Sequence, residues 1–418
     1  MQTSIPDTLA NDTRVRIAES ILRKCVHCGF CLATCPTYQL TGDELDSPRG
    51  RIYLIKQVAE GQLPTRTTQA HLDRCLSCRS CETTCPSGVE YGQLIDQGRA
   101  LVNERVPRPA GERLMRKALL TVLPHPARIG TLTRLGQSLR LLMPTALKAK
   151  LPPRRTPGEW PVTATETRSM LVLDGCAQRS MTPATNHAAA RVLAALGIRL
   201  QPVPEARCCG AVSHHLDATD EARQFMRENI DAWWPAIEVG AEAILVTASG
   251  CGMMVKEYGR ELADDPDYAD RARRVSELAR DTVEVLQAED LTPLRALDGF
   301  DAAVKAVGKV AFHPPCTLQH GQKLPLATEG LLGDLGFRLT PVPDAHLCCG
   351  SAGTYSILQP VLARQLLARK TAALISGEPD VVATANIGCQ MHLEGGLGKP
   401  VVHWIELLDR ALSDCHRA

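Results

Sequence analysis

Sulfur is where this sequence concentrates its chemistry. The run Cys25-Val26-His27-Cys28-Gly29-Phe30-Cys31-Leu32-Ala33-Thr34-Cys35-Pro36 and the run Cys75-Leu76-Ser77-Cys78-Arg79-Ser80-Cys81-Glu82-Thr83-Thr84-Cys85-Pro86 share one pattern, C-x2-C-x2-C-x3-C-P. Three thiolates spaced in this way can hold three corners of a [4Fe–4S] cubane from one tight loop. The fourth, followed by Pro, points away and ligates the other cluster of a pair. The pattern therefore predicts one cluster on Cys25, Cys28, Cys31 and Cys85, and a second on Cys75, Cys78, Cys81 and Cys35. Soft sulfur ligands favour iron–sulfur over a hard cation. A pair of structural zinc sites is the plainer alternative. Zinc knuckles, however, come as two C-x2-C pairs with a longer gap, and they have no use for the fourth Cys and its Pro.

Eight further Cys fall into two matching sets. Each set has a lone Cys, a Cys-Cys-Gly and a later Cys: Cys176, Cys208, Cys209 and Cys251, then Cys316, Cys348, Cys349 and Cys389. Cys316, Cys348 and Cys389 follow Cys176, Cys208 and Cys251 by 140, 140 and 138 residues. Gln201-Pro202-Val203-Pro204 likewise stands opposite Thr340-Pro341-Val342-Pro343. Self-similarity at a fixed period signals two copies of one unit. Adjacent Cys cannot both serve a compact cubane from regular structure. They suit an irregular loop whose thiolates bridge or cap several irons, with Gly210 and Gly350 allowing a tight turn against the metal. Buried free thiols or a disulfide are the bland readings, and two copies in register count against both.

These residues must be positioned by a chain of 418 residues, long enough for two or three domains with their own cores. The net charge of +1 gives nothing global that points to nucleic acid. Seventeen Cys in quartets and doublets read as ligation, not as a disulfide framework. Such ligands must stay reduced until loaded, which predicts a cytoplasmic protein. The stretch Met1–Arg23 is polar, with Asp7, Asp12 and Glu19, and does not read as a signal peptide. No run of about 18 apolar residues occurs, so any membrane contact is expected to be peripheral, at the inner face, or through a partner.

Helices are expected at residues 13–24, at Arg51–Glu60 and at residues 92–104, placing the two Cys runs on loops of an all-helical module over residues 1–104. Ser47-Pro48-Arg49-Gly50-Arg51 reads as a turn bringing two guanidinium groups near the clusters, or as a solvated turn with a helix start. Residues 105–167 form a connector. It carries Arg105, Arg108, Arg113, Arg116, Lys117, Arg128, Arg134, Arg140, Lys148, Lys150, Arg154 and Arg155 against little acid. Its Leu119, Leu120, Leu132, Leu135, Leu139, Leu141, Leu142 and Met143 recur at helical spacing, and Leu151–Pro157 reads as a linker. Such a basic amphipathic stretch packs on its own protein or a partner, or lies on an anionic bilayer.

From residue 168 strands and helices alternate, giving two α/β units over residues 168–295 and 296–418. Strands are expected at Met170–Leu173, Arg199–Val203 and Ala243–Thr247 in the first, and at Lys309–Phe312, Phe337–Val342 and Val381–Ala385 in the second. Cys at the carboxyl ends of strands occupy the place where α/β sheets build their sites. No strand is followed by G-x-G-x-x-G, no Ser-His-Asp order stands out, and Gly395-Gly396-Leu397-Gly398 is a lone Gly-rich bend. The chain is thus expected to carry no independent substrate site and no catalytic residue of its own.

Residues 168–405 resemble the cysteine-rich CCG-domain family. That family includes lactate-utilisation proteins and one subunit each of heterodisulfide reductase and glycerol-3-phosphate dehydrogenase. In some members the full motif C…CCG…C-x-x-C holds a non-cubane [4Fe–4S] cluster. Here the position three after Cys251 is Met254 and three after Cys389 is His392, so each copy lacks a final thiolate. Iron–sulfur or zinc at each site stays open, as does His392 as a ligand or a supporting side chain. His313, His320, His346 and His214-His215 also fall near the Cys-rich loops.

The whole chain resembles the iron–sulfur subunit family of bacterial glycolate oxidase (glycolate dehydrogenase). The resemblance is carried by Cys25 to Cys31, Pro36-Thr37-Tyr38-Gln39-Leu40, Asp46 to Lys56, Cys316-Thr317-Leu318-Gln319-His320-Gly321 and Thr384-Ala385-Asn386-Ile387-Gly388-Cys389-Gln390. It implies an α-helical ferredoxin domain with two clusters followed by two repeated α/β CCG units. It also implies flavin-binding partner subunits that oxidise glycolate to glyoxylate, with electrons passed towards a quinone-type acceptor. A subunit of a lactate or glycerol 3-phosphate dehydrogenase is the alternative within the same chemistry. A thiol redox protein of the heterodisulfide type is the alternative outside it.

Overall fold

The computed structural model describes residues 1–140, 154–161 and 168–415. The Leu141-Leu142-Met143 end of the basic stretch, Lys148, Lys150 and the Leu151-Pro152-Pro153 start of the expected linker lie outside the described residues.

The first module is helical: α1 (Thr13–Leu22), α2 (Pro36–Thr41), α3 (Pro48–Ala59), α4 (Arg66–Asp73), α5 (Ser80–Thr84) and α6 (Tyr91–Arg105). Their starts are written locally. Asp12 caps α1 by accepting from Arg14 N, and Ser47 Oγ caps α3 by accepting from Gly50 N at 2.9 Å, with Pro48 just inside. The apolar faces of α1, α3, α4 and α6 close one core around Val15, Ile21, Leu22, Ile55, Leu72, Leu94, Ile95 and Leu101. That core backs the two cysteine loops and holds Cys25, Cys75 and Cys81 at its edge.

The basic stretch forms α7 (Ala110–Val122) and α8 (Pro126–Ser138). Part of its charge is matched within the chain. Arg108 Nη1 meets Asp73 at 2.6 Å, and Arg116 reaches Asp73 at 3.4 Å and Asp217 at 3.6 Å. Leu114, Met115, Leu132, Leu135 and Leu139 remain exposed.

Two four-stranded parallel sheets follow. The first has the order β2-β1-β3-β4, with β1 Arg168–Val172, β2 Ile198–Pro202, β3 Ile244–Val246 and β4 Ala279–Asp281. The second repeats it as β6-β5-β7-β8, with β5 Lys309–His313, β6 Arg338–Leu339, β7 Val381–Thr384 and β8 Val401–His403. Every pairing is parallel, and the central β1 and β5 are apolar and buried at their carboxyl ends, as sheets covered by helices require. The expected strand Phe337–Val342 shrinks to Arg338–Leu339. Thr340 N still bonds to Val310 O at 2.9 Å, but Pro341 has no N–H to continue the ladder.

The two sheets meet at the carboxyl ends of β3 and β7, where Ser249 N donates to Ala385 O at 3.0 Å and the Ser249 and Thr317 hydroxyls lie 2.8 Å apart. One apolar core runs through both units. It joins Val172, Ala189, Val192 and Leu193 to Val310, Phe312, Trp404, Leu408 and Leu412. Among the described residues, no helix is long and apolar enough to cross a membrane.

Candidate metal centres

Both Cys runs bend by the same device. The second and fourth residues after the leading Cys have positive φ: His27 at 55° and Gly29 at 85° in the first run, Ser77 at 51° and Arg79 at 59° in the second. Left-handed residues at these two points reverse the backbone around each thiol triplet. For non-glycine residues this geometry costs about 1–2 kcal/mol each, so the surrounding packing must hold it. Arg79 is held by Glu257 on the first α/β unit.

The first triplet opens on a pocket lined by Cys25, Cys28, Cys31 and Cys85, together with Val26, Phe30, Arg49 and Tyr91. The second triplet opens on one lined by Cys75, Cys78, Cys81 and Cys35 together with Arg51, Leu76 and Tyr91. Cys81 also reaches the wall of the first cavity, so the two pockets adjoin. The last Cys of each run therefore faces the triplet of the other.

Burial, followed by the charge of the other thiols, pushes Cys31 up to about 11 and Cys81 well above the usual thiol range. Four thiolates cannot be held together in such a space without a cation, so the donor sets fit iron–sulfur clusters.

Positive charge is concentrated on the second cavity. Arg51 is 1% exposed; its Nε donates to His71 O at 2.7 Å and its Nη1 to Thr37 Oγ1 at 3.1 Å, with Asp46 at 3.6 Å. Arg99 donates to Cys75 O at 2.7 Å, Leu72 O at 3.0 Å and Ser77 Oγ at 3.0 Å. Instead of a turn, Ser47–Arg51 is the capped start of α3. Arg51 points inward to the second triplet, and Arg49 pairs with Glu44 at 2.8 Å beside the first.

Each Cys-Cys-Gly set is also brought together. Cys176, Cys208, Cys209 and Cys251 touch in that order, as do Cys316, Cys348, Cys349 and Cys389. The glycines turn against protein backbone. Gly210 has φ 89° and a Cβ there would stand 3.0 Å from Ala222 O; Gly350 has φ 91° and a Cβ would stand 2.7 Å from Ala363 O. These contacts fix the doublets against the helices Thr219–Glu238 and Pro360–Ile375, so helix packing by itself requires glycine at both positions.

The two sets differ in what surrounds them. In the first, Asn229 Nδ2 donates to Cys208 O at 2.9 Å and Tyr258 OH to Cys209 O at 3.0 Å. In the second, Lys370, 3% exposed, donates to Asp344 O at 2.7 Å and stands in the field of Cys316, Cys349 and Cys348. Cys78 and Leu76 of the helical module pack on this second set, with Cys78 in side-chain contact with Cys316.

Sequence reasoning missed this contact and the role of Lys370, which sits within an otherwise ordinary helical pattern. Of the histidines, His320 bridges Thr83 Oγ1 at 3.0 Å and His346 O at 3.1 Å. His214 and His215 lie with Asp96. His392 rests against the backbone at Cys349 and Ala363.

Comparison with known proteins adds the following. Residues 170–256 and 310–394 match the model of the cysteine-rich CCG domain, and residues 21–89 match that of the 4Fe-4S dicluster domain. The chain is 55% identical over 412 residues to the glycolate oxidase iron-sulfur subunit of Escherichia coli K12, covering 99% of both chains. It is 31% identical to the probable glycolate oxidase iron-sulfur subunit of Bacillus subtilis, over 93% of this chain and 92% of that one. Lactate utilization protein A of Anoxybacillus flavithermus is 30% identical over 49% of this chain and 84% of its own.

Proposed function

The chain belongs to the family of glycolate oxidase iron–sulfur subunits, and on that premise we propose that it is the electron-carrying subunit of a glycolate-oxidising complex whose flavin-binding subunits do the chemistry on glycolate. Identity over the full length to a glycolate oxidase subunit, against identity over half the chain to a lactate-utilisation protein, favours glycolate over lactate.

Bound clusters supply the one-electron chemistry. The chain's own residues do the rest. The thiols Cys25, Cys28, Cys31 and Cys85 hold one cluster, and Cys75, Cys78, Cys81 and Cys35 the other. Arg51 and Arg99 offset the negative charge of the second set. The core of α1, α3, α4 and α6 keeps water from its back.

The observation that carries this reading is the continuous line of donor sets. It begins at Cys28, which is exposed beside Val26 and Phe30, both more than 60% exposed. It passes Cys81 between the two cavities and ends where Cys78 touches Cys316. The apolar rim at Val26 and Phe30 suits docking of the flavin-bearing partner, and the resemblance to glycolate oxidase subunits makes the acceptor beyond the inner end of the quinone type. Ligands that must remain reduced until loaded favour a cytoplasmic complex, with any membrane contact peripheral.

The test is anaerobic purification of the intact complex. Glycolate is expected to reduce two interacting [4Fe–4S] clusters in it, while the isolated chain oxidises nothing. Phe30→Asp is expected to lower cluster reduction by glycolate at least tenfold while dithionite still reduces the clusters. Iron–sulfur signals that glycolate never bleaches in the wild-type complex would overturn the reading.

A further inference from the structure

The second Cys-Cys-Gly site contains a residue that the thiol pattern does not predict. His313 ends β5, is 0% exposed, and has neither ring nitrogen bonded to any protein group. One of its nitrogens lies within 4.8 Å of the sulfurs of both Cys349 and Cys389. A buried imidazole with two unmet nitrogens is costly, so the arrangement calls for a partner that is not protein. Pairs of thiol sulfurs with an imidazole nitrogen are the ligand set of thiophilic transition metals.

The first site has no counterpart. By the 140-residue spacing that relates Cys176 to Cys316, His313 falls opposite Leu173. Gly210 packs on Ala222 and Gly350 on Ala363, and the matching helix position sets Lys370 opposite Asn229. The second copy thus has an imidazole and a buried cation where the first has an apolar side chain and an amide. His392, three residues after Cys389 where the full family motif has its last Cys, lies against the backbone of Cys349 and Ala363 and also keeps Nε2 buried without a partner, but among the described residues it is His313 whose nitrogen comes within 4.8 Å of both sulfurs.

We propose that the second Cys-Cys-Gly site is a mixed cysteine–histidine metal centre in which His313, and not His392, supplies the ligand that replaces the missing thiolate, alongside Cys349 and Cys389. The metal is a thiophilic ion of the iron or zinc type, shared among Cys316, Cys348, Cys349 and Cys389. Lys370 offsets the thiolate charge from behind. The first site, with Leu173 in that place, takes no histidine ligand.

The full chain, purified anaerobically, is analysed for iron, zinc and sulfide and by X-ray absorption at the iron and zinc edges. Wild type is compared with His313→Leu, His313→Cys and His392→Leu. The expected wild-type result is metal beyond the content of two cubanes, with imidazole scattering at the edge of that metal; which edge shows it tells iron from zinc. His313→Leu is expected to lose the imidazole scattering and most of the extra metal while the two cubane signals persist, which certifies the fold. His313→Cys is expected to keep the metal without the imidazole pattern, and serves alone if the leucine variant does not fold. His392→Leu is expected to keep both. Extra metal without imidazole scattering, scattering that survives in His313→Leu or His313→Cys, or no metal beyond two cubanes would each overturn the proposal. None of these results bears on the two N-terminal clusters or on glycolate.

Discussion

Cys35 belongs to the first run in sequence but lines the cavity of the second, so its removal has a diagnostic outcome. On the crosswise assignment proposed above, Cys35→Ala is expected to damage the cluster on Cys75, Cys78 and Cys81 and leave that on Cys25, Cys28, Cys31 and Cys85 intact. In the reduced protein, electron paramagnetic resonance should change from an interacting pair to one isolated signal, and Cys85→Ala should leave the opposite one. Arg51 offers a finer test at the same centre. Its full burial next to Cys75 and Cys35 favours the more negative, reduced state of the cluster. Arg51→Met is expected to lower the second cluster's potential by tens of millivolts, where about 59 mV is a tenfold change for one electron. Stability should fall by about 1–3 kcal/mol, because His71 O loses a buried donor while Asp46 keeps Arg74 and His71. Arg51→Lys should restore the potential but only part of the stability, and redox titration with urea unfolding separates the two effects.

At the scale of elements, α6 and the short helix Ala211–His215 hold a buried titrating group between the helical module and the first α/β unit. His214 Nε2 lies 3.4 Å from Glu261, with Asp96 of α6, Glu257 and His215 also facing it. Burial opposes its charge, but the bond to Glu261 and the charge of Asp96 prevail and push it up to about 9. Its folded value lies above the unfolded value of about 6.5. The stabilisation is therefore fully present below pH 6.5 and is lost as pH rises through 9. The loss is at most about 3 kcal/mol, since one pKa unit is about 1.36 kcal/mol. Urea midpoints are expected to fall between pH 6.5 and 9.5 in the wild type and to stay flatter in His214→Gln. A flat wild-type profile would remove this role.

The elements also show what the sequence made legible. Pro360–Ile375 is bounded to the residue because Pro and a full apolar repeat mark it, and three strands of each sheet follow from short apolar runs before Gly or Cys. The fourth strands, β4 and β8, escape. Each has three residues, and the repeat breaks before them: β8 follows β4 by 122 residues, not 140. The first copy inserts the helices Tyr258–Glu261 and Ala269–Leu278 where the second has only Ile387–Leu397. The thiols are legible because their spacing is itself the signal. Lys370 is not, since it reads as the polar face of a helix, and His313 shows only as one of several histidines near the Cys-rich loops.

Across the whole molecule, the two α/β copies share apolar interior as well as symmetry. Arg191 clasps Asp409 through two bonds of 2.7 Å, and Thr185 Oγ1 donates to Glu406 at 2.6 Å, over the packed Val192, Leu193, Trp404 and Leu408. Expression of residues 296–418 alone is therefore expected to give insoluble protein. Co-expression with residues 1–295 should recover a soluble pair, as judged by gel filtration. Soluble, cooperatively unfolding 296–418 would show that the copies stand independently.

That joint interior has a bearing on how a duplicated protein can age. A copy welded to its twin cannot be removed alone, because part of the twin's dry interior would go with it. Leu173 and Asn229 can thus differ from His313 and Lys370 at the thiol site, while Val172 and Leu193 remain bound by the interior that both copies need.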